Sequence, residues 1–577
     1  MNSALLSRAH LRPAATAASV TPYGPSRHGA PIDLDLSSTV IASEAGSGHL
    51  GDLAQRTARE LNRYPDAGAL TARLAAEVGV AADRVLVTAG ADEALERAFR
   101  AMLSPGDEVV LTSPTFEMLP RYARLNGATI REVAWASGAL PANDIVETIT
   151  EKTRLIVIVS PNNPTGAVAS LEALLAITEA APGALLVVDL AYVEFAADDP
   201  TDALLKQPCV VVTRTFSKAW GLPGIRVGWA AGPADVIGWM RAVGNPYSVS
   251  ASSLALAEQA LGDSRAAKAA TIAVVGQYRD RLTALLNELQ LNALPSEANF
   301  VCASPVDASW LRDALAGFGI AIRYLPDPAG DRLRITCPAS ASAWQRLELA
   351  LRTALMPEAL IFDMDGVLAD VSKSYRQAII NTAATFGVAV TPLDIATAKA
   401  AGNANDDWQL TTDLLLARGI PADFVGVKAR FEGFYQGGAG QPGLRETESL
   451  LIPVERLRAL AVRFRLGIAT GRPRGDAERF LVVNGIADLF SCCVTRDDGA
   501  IKPDPFPVAE AMRQLGATRA WMIGDTPDDI RSARSAGALP VGVLPPEDPG
   551  STLAPALIAA GAAWVLPAMT ALEEILP

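Results

Sequence analysis

The stretch Thr215-Phe216-Ser217-Lys218-Ala219-Trp220-Gly221-Leu222-Pro223-Gly224-Ile225-Arg226-Val227-Gly228-Trp229 decides how the first half of this chain is interpreted. It follows an apolar run at 210–213 that predicts a buried strand. A lysine just beyond a strand end, flanked by hydroxyls, can condense with an aldehyde cofactor, and its polar neighbours can hold that cofactor's phosphate. We therefore predict that Lys218 bonds the cofactor and that Thr215, Ser217 and Arg226 hold the phosphate.

Helical patterns alternate with short apolar strands from about residue 50 onward. The strands are predicted at 84–88, 108–112, 155–160, Leu185–Asp189 and 210–213. This alternation predicts a parallel α/β sheet in which functional loops follow the strand ends.

Two further strand ends carry polar residues that suit the same cofactor. Asp189 ends a buried strand, where a carboxylate is costly unless it is paired. The Lys218 segment resembles the Schiff-base segment of fold type I enzymes that use pyridoxal 5′-phosphate, and this resemblance implies that the protonated pyridine nitrogen is the partner. Its positive charge makes the ring an electron sink. The hydroxyl of Tyr192 and the amide of Asn163 suit the ring's 3′ oxygen.

These segments together resemble class I/II aminotransferases, which are fold type I enzymes, and they are most similar to histidinol-phosphate aminotransferases. The resemblance covers roughly residues 30 to 350 and rests on Asn163-Pro164-Thr165-Gly166, Asp189-Leu190-Ala191-Tyr192, Ser217-Lys218 and Arg226. It implies a homodimer in which Tyr64 reaches the cofactor phosphate of the neighbouring subunit. It also implies that backbone amides of Ala91 and Asp92, at a helix start, bind the phosphate and that Phe116 stacks on the ring.

Two arginines are candidates for substrate binding, and one segment of the substrate pocket differs from the family pattern. Arg334 matches the family arginine that binds an anionic substrate group, since a guanidinium suits a carboxylate or a phosphate. Arg323 is a second candidate for a substrate phosphate, with a surface charge as the alternative. The family's early Ser-Asn-Glu-Asn-Pro segment is absent, and residues 36–40 read Leu-Ser-Ser-Thr-Val instead.

The second half begins with a strand at 359–362 that leads into Asp363-Met364-Asp365-Gly366. Two carboxylates one residue apart at a strand end repel each other unless a cation lies between them. Later strand ends add the segments Thr470-Gly471-Arg472, Lys502-Pro503 and Gly524-Asp525-Thr526-Pro527-Asp528-Asp529. With these four motifs in order, the region resembles the haloacid dehalogenase superfamily.

The resemblance implies a phosphate-ester chemistry with defined roles. Asp363 attacks phosphorus to form an aspartyl-phosphate, and Asp365 protonates the leaving oxygen and later deprotonates water. Thr470 and Lys502 bind the equatorial oxygens.

Mg²⁺ is expected to be held by Asp363, Asp525 and the backbone carbonyl of Asp365. Asp529 is expected to support the metal site and to orient Lys502, with Asp528 as the alternative.

The expected organisation is an N-terminal arm at 1–30, an aminotransferase domain at 31–355 and a Rossmann-like hydrolase domain at 357–577. Helical periodicity between the first two hydrolase motifs predicts a helical cap at about 371–447, which would exclude water and select the leaving group. Mutases share this layout, so the second half is either a phosphatase or a mutase. The arm is interpreted as disordered, and a transit peptide is the alternative.

Bulk properties restrict the class of protein. The chain has 577 residues, 50% hydrophobic and 20% charged, with a formal net charge of −13, which argues against a nucleic-acid surface. Five cysteines without metal-ligand spacing favour the reducing cytoplasm, and no apolar run is long enough for a membrane span. All three histidines lie within the first 50 residues, so chemistry elsewhere must use other side chains or cofactors.

Together the halves predict a bifunctional enzyme acting on small molecules. One half would transaminate a phosphorylated ketone with glutamate as donor, and the other would hydrolyse the phosphorylated amine. Two alternatives are a decarboxylase or secondary-metabolism aminotransferase for another phosphorylated amino compound, and a chain in which one half has lost its chemistry.

Overall fold

The computed structural model describes residues 14–21, 28–41, 63–327, 330–402, 406–438, 440–546 and 550–577. Two compact units divide the chain. One is formed mainly by residues 36–306 and 323–344, and the other by 28–35, 307–322 and 345–577. The predicted boundary at 355–357, the arm and the extent of the cap stay predictions.

A seven-stranded sheet forms the centre of the first unit. Its spatial order is Val85–Thr88, Gly228–Ala231, Val210–Thr215, Leu185–Asp189, Thr153–Val159, Glu108–Ser113 and Thr129–Ala134. The five strands from Val210–Thr215 to Thr129–Ala134 are mutually parallel, whereas Gly228–Ala231 pairs antiparallel with both of its neighbours. The five predicted strands all run in the same direction, and the antiparallel strand Gly228–Ala231, where the chain returns after the loop that contains Lys218, was not predicted.

Helices cover both faces of this sheet, and each face has its own apolar cluster. The helices of this unit are Ala15–Ala18, Gly68–Glu77, Gly90–Met102, Met118–Leu125, Ala142–Thr148, Leu171–Ala180, Thr201–Leu204, Ala234–Ala242, Ala251–Asp263 and Arg265–Glu288. The central strands are buried along their whole length, as expected for a sheet covered on both sides. Polar side chains at the strand ends are therefore the ones available for function.

A smaller antiparallel sheet carries the two predicted substrate arginines. Its order is Arg323–Leu325, Arg332–Thr336 and Phe300–Ala303. Arg323 pairs directly with Arg334 across two strands.

The second unit contains a six-stranded parallel sheet in the order Phe490–Val494, Arg465–Ala469, Ala359–Phe362, Ala520–Gly524, Leu539–Val543 and Trp564–Leu566. Phe362 pairs with Ile468 on one side and with Ile523 on the other. The residues that follow these three strands therefore meet at one edge of the sheet. The flanking helices include Val454–Arg463, Arg474–Val483, Phe506–Leu515, Pro527–Ala536 and Gly550–Ala560.

In the described part of the chain, four helices lie between Asp370 and Ser449, in the insert that follows the first hydrolase motif: Tyr375–Thr385, Pro392–Ala401, Asp407–Leu416 and Phe424–Gln436. A short antiparallel pair, Ala369–Asp370 with Ser449–Leu450, stands before and after this insert. The remaining helices of the unit are Ala308–Gly317 and Leu572–Ile575, and Ala341–Leu355 contains the sequence boundary between the two units. None of the helices in the described ranges is both long and apolar enough to cross a bilayer.

Two candidate active sites

The carboxylate of Asp189 is the most unusual charge in the first unit. It lies at the end of a buried strand in register with Thr213, whose hydroxyl donates a 2.7 Å hydrogen bond to Oδ1. Burial raises the pKa of Asp189 to about 6, although the bond from Thr213 opposes this shift. A cationic partner such as a protonated pyridine nitrogen would compensate the buried carboxylate.

Lys218 follows the neighbouring strand, and its amine reaches residues on two other segments. Nζ donates to the hydroxyl of Thr39 at 2.6 Å and lies 3.4 Å from the Thr39 carbonyl oxygen. It also lies 5.2 Å from the ring centroid of Tyr192, whose hydroxyl is 3.3 Å from Thr39 Oγ1. Lys218 and Tyr192 therefore both contact Thr39, which belongs to the segment 36–40 that differs from the family pattern.

The residues predicted to hold a phosphate form a cradle at the start of the helix Gly90–Met102. A Cβ on Gly90 would lie 2.6 Å from Arg226 Nη2, and one on Gly228 would lie 2.4 Å from the backbone nitrogen of Ala91. Gly228 is required because a Cβ would collide with backbone atoms, and Gly90 is favoured because its φ is +81°. The Ser217 hydroxyl lies 3.5 Å from Arg226 Nη1.

Two further groups belong to this cradle. The Thr215 hydroxyl donates to Ser217 Oγ at 3.0 Å, and Asp92 accepts from Arg226 Nη2 at 3.0 Å. Donors at a helix start, a guanidinium and two hydroxyls are a donor set that suits a phosphate. Together with Asp189 and Lys218, these residues fit pyridoxal 5′-phosphate.

Arg334 is a buried guanidinium facing the same loops. Nη1 donates to Asn163 Oδ1 at 2.6 Å, and Nη2 donates to the Ser37 carbonyl at 2.7 Å. Burial lowers the pKa of Arg334, so an anionic substrate group would be a favourable partner. Asn163 therefore lies beside the predicted substrate arginine.

Three other predicted residues have different surroundings. Arg323 Nη2 contacts both carboxylate oxygens of Glu117 at 2.9 Å, so its charge is already paired within the chain. Phe116 is half-buried against the apolar cluster. Tyr64 is 79% exposed and stacks on Tyr247 with ring centroids 4.5 Å apart.

The second unit contains a buried cluster of three carboxylates and one ammonium. Lys502 Nζ lies 2.8 Å from Asp363 Oδ1 and 2.5 Å from Asp529 Oδ1, and it donates to the Ala469 carbonyl at 3.1 Å. Burial alone would lower the pKa of Lys502, but the two carboxylates raise it overall. Burial also raises the pKa of Asp363 to about 7.

Carboxylate oxygens of Asp363, Asp525 and Asp529 lie within 4.8 Å of one another. Burial and the two neighbouring acids raise the pKa of Asp525 well above its ordinary value. A Cβ on Gly366, where φ is +74°, would lie 2.3 Å from Asp525 Oδ2. Concentrated buried carboxylates are ligands that Mg²⁺ prefers, so these residues fit that ion.

Asp365 contacts a buried arginine. Arg472 Nε donates to Asp365 Oδ1 at 2.6 Å, and Nη2 lies 2.5 Å from the same oxygen. Nη1 donates to Glu448 at 2.9 Å. The predicted acid–base residue is thus tied to Glu448 through one guanidinium.

Residues of the helical insert complete this second network. Glu448 accepts from Ser374 Oγ at 2.8 Å and from the Tyr435 hydroxyl at 3.2 Å. Beside it lies a cavity of about 210 Å³ that Tyr435, Glu448 and Phe480 line. The insert therefore supplies residues that line this cavity and that contact Asp365 through Arg472.

The remaining hydrolase residues occupy the expected strand ends. Thr470 is buried, and its Oγ1 accepts from the backbone nitrogen of Arg472 at 3.2 Å. Asp529 Oδ2 accepts from the backbone nitrogens of Asp525 and Thr526 and from the Thr526 hydroxyl, so it caps the helix Pro527–Ala536. Asp528 instead contacts Arg531 at 3.2 Å.

Sequence reasoning missed three residues that the structure places at these sites. Thr39 lies in the segment 36–40, for which the sequence showed only a difference from the family pattern. Nothing in the sequence indicated that Thr39 contacts Lys218. Arg472 follows Thr470 by two positions, so its presence at that strand end was available as a signal. Glu448 is remote in sequence from every motif and could not have been found.

These two sites lie in a transferase half and in a hydrolase half of one chain. The chain belongs to aminotransferase class I and II, whose family model matches residues 34–351. A second family model, haloacid dehalogenase-like hydrolase, matches residues 357–537.

Individual relatives were found for parts of the chain. An imidazoleglycerol-phosphate dehydratase from Phytophthora nicotianae is 49% identical over 199 residues, which is 33% of this chain and 44% of that protein. The chain thus spans less than half of this relative. A histidinol-phosphate aminotransferase from Dinoroseobacter shibae is 38% identical over 274 residues, covering 46% of this chain and 76% of the relative.

One solved structure supports the fold of the first half. The histidinol-phosphate aminotransferase from Sinorhizobium meliloti, in complex with pyridoxal-5′-phosphate, matches with a TM-score of 0.54 and 24% identity. The match covers 60% of this chain and 97% of that protein.

Proposed function

We propose that this chain transaminates a phosphorylated ketone, with glutamate as amino donor, and then removes the phosphate from the amine that it has made. Both family models and two separate polar centres support two activities in one polypeptide. The observation that carries the proposal is that each centre combines a reactive side chain with cationic groups for an anion. We further propose that the protein acts as a homodimer through its aminotransferase half.

In the first centre, pyridoxal 5′-phosphate would supply the electron sink for loss of the substrate Cα proton. Lys218 would bond the cofactor and carry that proton at Nζ. Asp189 would keep the pyridine nitrogen protonated, and Tyr192 would donate to the ring oxygen.

The cofactor and substrate anions have their own partners. Arg226, Ser217 and Thr215 would hold the cofactor phosphate, together with the amides of Ala91 and Asp92. Arg334 would bind the anionic group of the substrate, exchanging its present bond to the Ser37 carbonyl for a charged acceptor. Tyr64 would reach the neighbouring subunit's cofactor, and its 79% exposure in the single chain leaves it accessible for that contact.

In the second centre, Asp363 would attack phosphorus and form an aspartyl-phosphate, and the leaving oxygen would take a proton from Asp365. Asp365 would then take a proton from the water that hydrolyses the aspartyl-phosphate, which releases orthophosphate and restores Asp363. Lys502 and Thr470 would contact the equatorial oxygens. Asp363 and Asp525 would hold Mg²⁺, which would reduce the repulsion between nucleophile and phosphate.

Asp529 would keep Lys502 in place through their 2.5 Å contact. Arg472 already contacts Asp365, so it would share that carboxylate with the substrate's leaving oxygen.

The order of the two reactions follows from the anion sites and from the names of the relatives. The first centre can use the phosphate as a binding group only before it has been removed. The Dinoroseobacter relative is named for histidinol phosphate, and the Phytophthora relative is named for another phosphorylated imidazole compound. We therefore propose imidazole acetol phosphate as the acceptor and L-histidinol phosphate as the phosphorylated amine.

The experiment that tests this function follows both products by mass spectrometry. Purified protein is incubated with pyridoxal 5′-phosphate, Mg²⁺, glutamate and imidazole acetol phosphate, and formation of L-histidinol and orthophosphate is expected. In the Asp363→Asn variant, L-histidinol phosphate should accumulate, and in Lys218→Ala neither product should form. Absence of amine and orthophosphate with the unchanged protein would exclude this substrate.

One observation favours a second acceptor class. The charge of Arg323 is paired with Glu117, which leaves Arg334 as the principal anion partner among the two predicted arginines. An acceptor with a single carboxylate and no phosphate, such as an aromatic 2-oxo acid, would need only Arg334. Comparing rates for phosphorylated and unphosphorylated ketones separates the two candidates, and Glu117→Gln should selectively improve the phosphorylated acceptor.

A further inference from the structure

Thr39 has a backbone conformation that its residue type rarely adopts. Its φ is +53°, in the left-handed region, and its side chain is β-branched. Such a conformation costs conformational energy and persists only where the surroundings hold it. Only 3% of Thr39 is exposed, so the strained residue lies inside the first candidate site.

Neighbouring side chains hold this conformation through the backbone. The Thr39 nitrogen donates to Thr336 Oγ1 at 3.1 Å, and Asn299 Nδ2 donates to the Thr39 carbonyl oxygen at 3.0 Å. Thr336 belongs to the strand that also carries Arg334, and its backbone nitrogen donates to the Leu36 carbonyl at 2.9 Å. The segment around Thr39 is therefore fixed to the wall of the site.

Two oxygen atoms of Thr39 lie near the amine of Lys218 and can accept hydrogen bonds from it. The hydroxyl and the carbonyl oxygen of Thr39 lie 2.6 Å and 3.4 Å from Lys218 Nζ. A neutral amine has two N–H groups and one lone pair. When both N–H groups point to Thr39, the lone pair points elsewhere and is free to accept a proton.

The hydroxyl of Thr39 also continues toward Tyr192. Thr39 Oγ1 lies 3.3 Å from the Tyr192 hydroxyl, and either hydroxyl can be the donor. Thr39 Oγ1 therefore contacts both the amine of Lys218 and the phenol of Tyr192.

We propose that Thr39 is a positioning residue for Lys218, which orients the amine for proton transfer whenever the substrate has replaced the lysine on the cofactor. This inference rests on the proposed aminotransferase function and adds a residue to it. The hydroxyl comes from the segment 36–40, which departs from the Ser-Asn-Glu-Asn-Pro pattern of the resembling family. The chain therefore orients its lysine with a group of its own.

The test compares three substitutions at one position with a matched control. Thr39→Val keeps the shape and removes the hydroxyl, Thr39→Ser keeps the hydroxyl, and Thr39→Gly removes both the hydroxyl and the strain. Thr112→Val is the control, because it makes the same change at a buried threonine whose hydroxyl has no hydrogen-bond partner among the described residues. All four are measured in the full chain.

The first readout uses the loaded enzyme with L-glutamate in D₂O. Exchange of the Cα proton should fall about 10- to 100-fold in Thr39→Val and Thr39→Gly, which is part of the roughly 10²- to 10⁴-fold that acid–base catalysis contributes as a whole. Cofactor affinity and KM for glutamate should change less than threefold, and the Cα-deuterium isotope effect should rise. Thr39→Ser should recover most of the rate, and Thr112→Val should behave as the unchanged protein.

The second readout needs no cofactor. Lys218 in the cofactor-free protein is labelled with trinitrobenzenesulfonate and quantified by peptide mass spectrometry. Labelling should be several-fold faster in Thr39→Val than in Thr39→Ser, because the amine is no longer held. If the unchanged protein does not exchange glutamate, the proposed donor is wrong, and this labelling still decides the role of Thr39.

Three results would overturn the proposal. One is an unchanged exchange rate or unchanged labelling in Thr39→Val. Another is a loss of exchange that matches a loss of cofactor affinity, which would indicate a purely structural role. The third is a failure of Thr39→Ser to recover the rate.

Discussion

Removing the charge of Lys502 should destabilise the second unit severely when no metal is added. The ammonium is 1% exposed and lies within 2.8 Å of Asp363 and 2.5 Å of Asp529. At an effective dielectric constant of about 20, one opposite charge at such a distance contributes roughly 6 kcal/mol of Coulomb energy. Desolvation offsets part of this, and breaking a buried ion pair by removing one partner typically costs about 3–5 kcal/mol.

The assay for Lys502→Met is hydrogen exchange by mass spectrometry in the presence of EDTA, on peptides that cover the strand Ala520–Gly524. A loss of about 3–5 kcal/mol corresponds to exchange that is roughly 150- to 5,000-fold faster, since each ~1.4 kcal/mol is tenfold. Lys373→Met is the matched control, because it removes an exposed lysine from the same unit.

The double variant Asp363→Asn with Lys502→Met provides the decisive comparison. Neutralising Asp363 removes one of the carboxylates that Lys502 compensates, so the double variant should be more protected than Lys502→Met alone. If it exchanges faster, or if Lys502→Met matches the control, the argument that Lys502 neutralises this cluster is refuted.

Three further predictions concern both sites. The cofactor-free Asp189→Asn variant should lose the part of the pH dependence of its unfolding free energy that Asp189 contributes. The raised pKa of Asp189 means that its folded form holds the proton more tightly, so its contribution to stability is present below about pH 4 and lost as the pH rises through about 6, a difference of roughly 3 kcal/mol. Urea unfolding across this range checks it, and equal slopes in the two proteins would contradict it. Arg334→Lys should lower kcat/KM for the anionic acceptor by about 100-fold with cofactor affinity unchanged, because a lysine lacks the planar fork; steady-state kinetics on both quantities decide the point. Gly366→Ala should abolish phosphate release and weaken Mg²⁺ binding at least ~10-fold while transamination is unchanged. The reason is that the added Cβ would lie 2.3 Å from Asp525 and that φ is +74°. Calorimetry measures the Mg²⁺ affinity, and an unchanged affinity would count against the cluster as a metal site.

Strand ends were the part of this molecule that the sequence predicted best. The strands predicted at 84–88, 108–112, 155–160, Leu185–Asp189, 210–213 and 359–362 differ from the structure by at most two residues at either end, whereas Thr129–Ala134, Gly228–Ala231, Leu539–Val543 and Trp564–Leu566 were not predicted. The reason is physical, since a carboxylate directly after a buried strand needs a partner at that edge of the sheet. The sequence was less informative about strand direction, because Gly228–Ala231 reads as an apolar run in either orientation.

Contacts between distant segments could not be predicted. Thr39 meets Lys218 across 179 positions, and Arg472 meets Asp365 across 107 positions. Such contacts depend on how a loop is held and on rotamers that no local pattern encodes. The contact between Arg323 and Glu117 is another contact between distant segments. The sequence offered no sign that Arg323, which was predicted to bind a substrate phosphate, already contacts a carboxylate.

The two oxygens of Asp529 serve different purposes, and this division bears on how the second half can change through evolution. Oδ2 accepts a hydrogen bond from the Thr526 backbone nitrogen at the start of the helix Pro527–Ala536, while Oδ1 contacts Lys502. A descendant that has abandoned catalysis would still need this carboxylate to keep that helix intact. Retention of Asp529 in a divergent homologue would therefore say little about turnover.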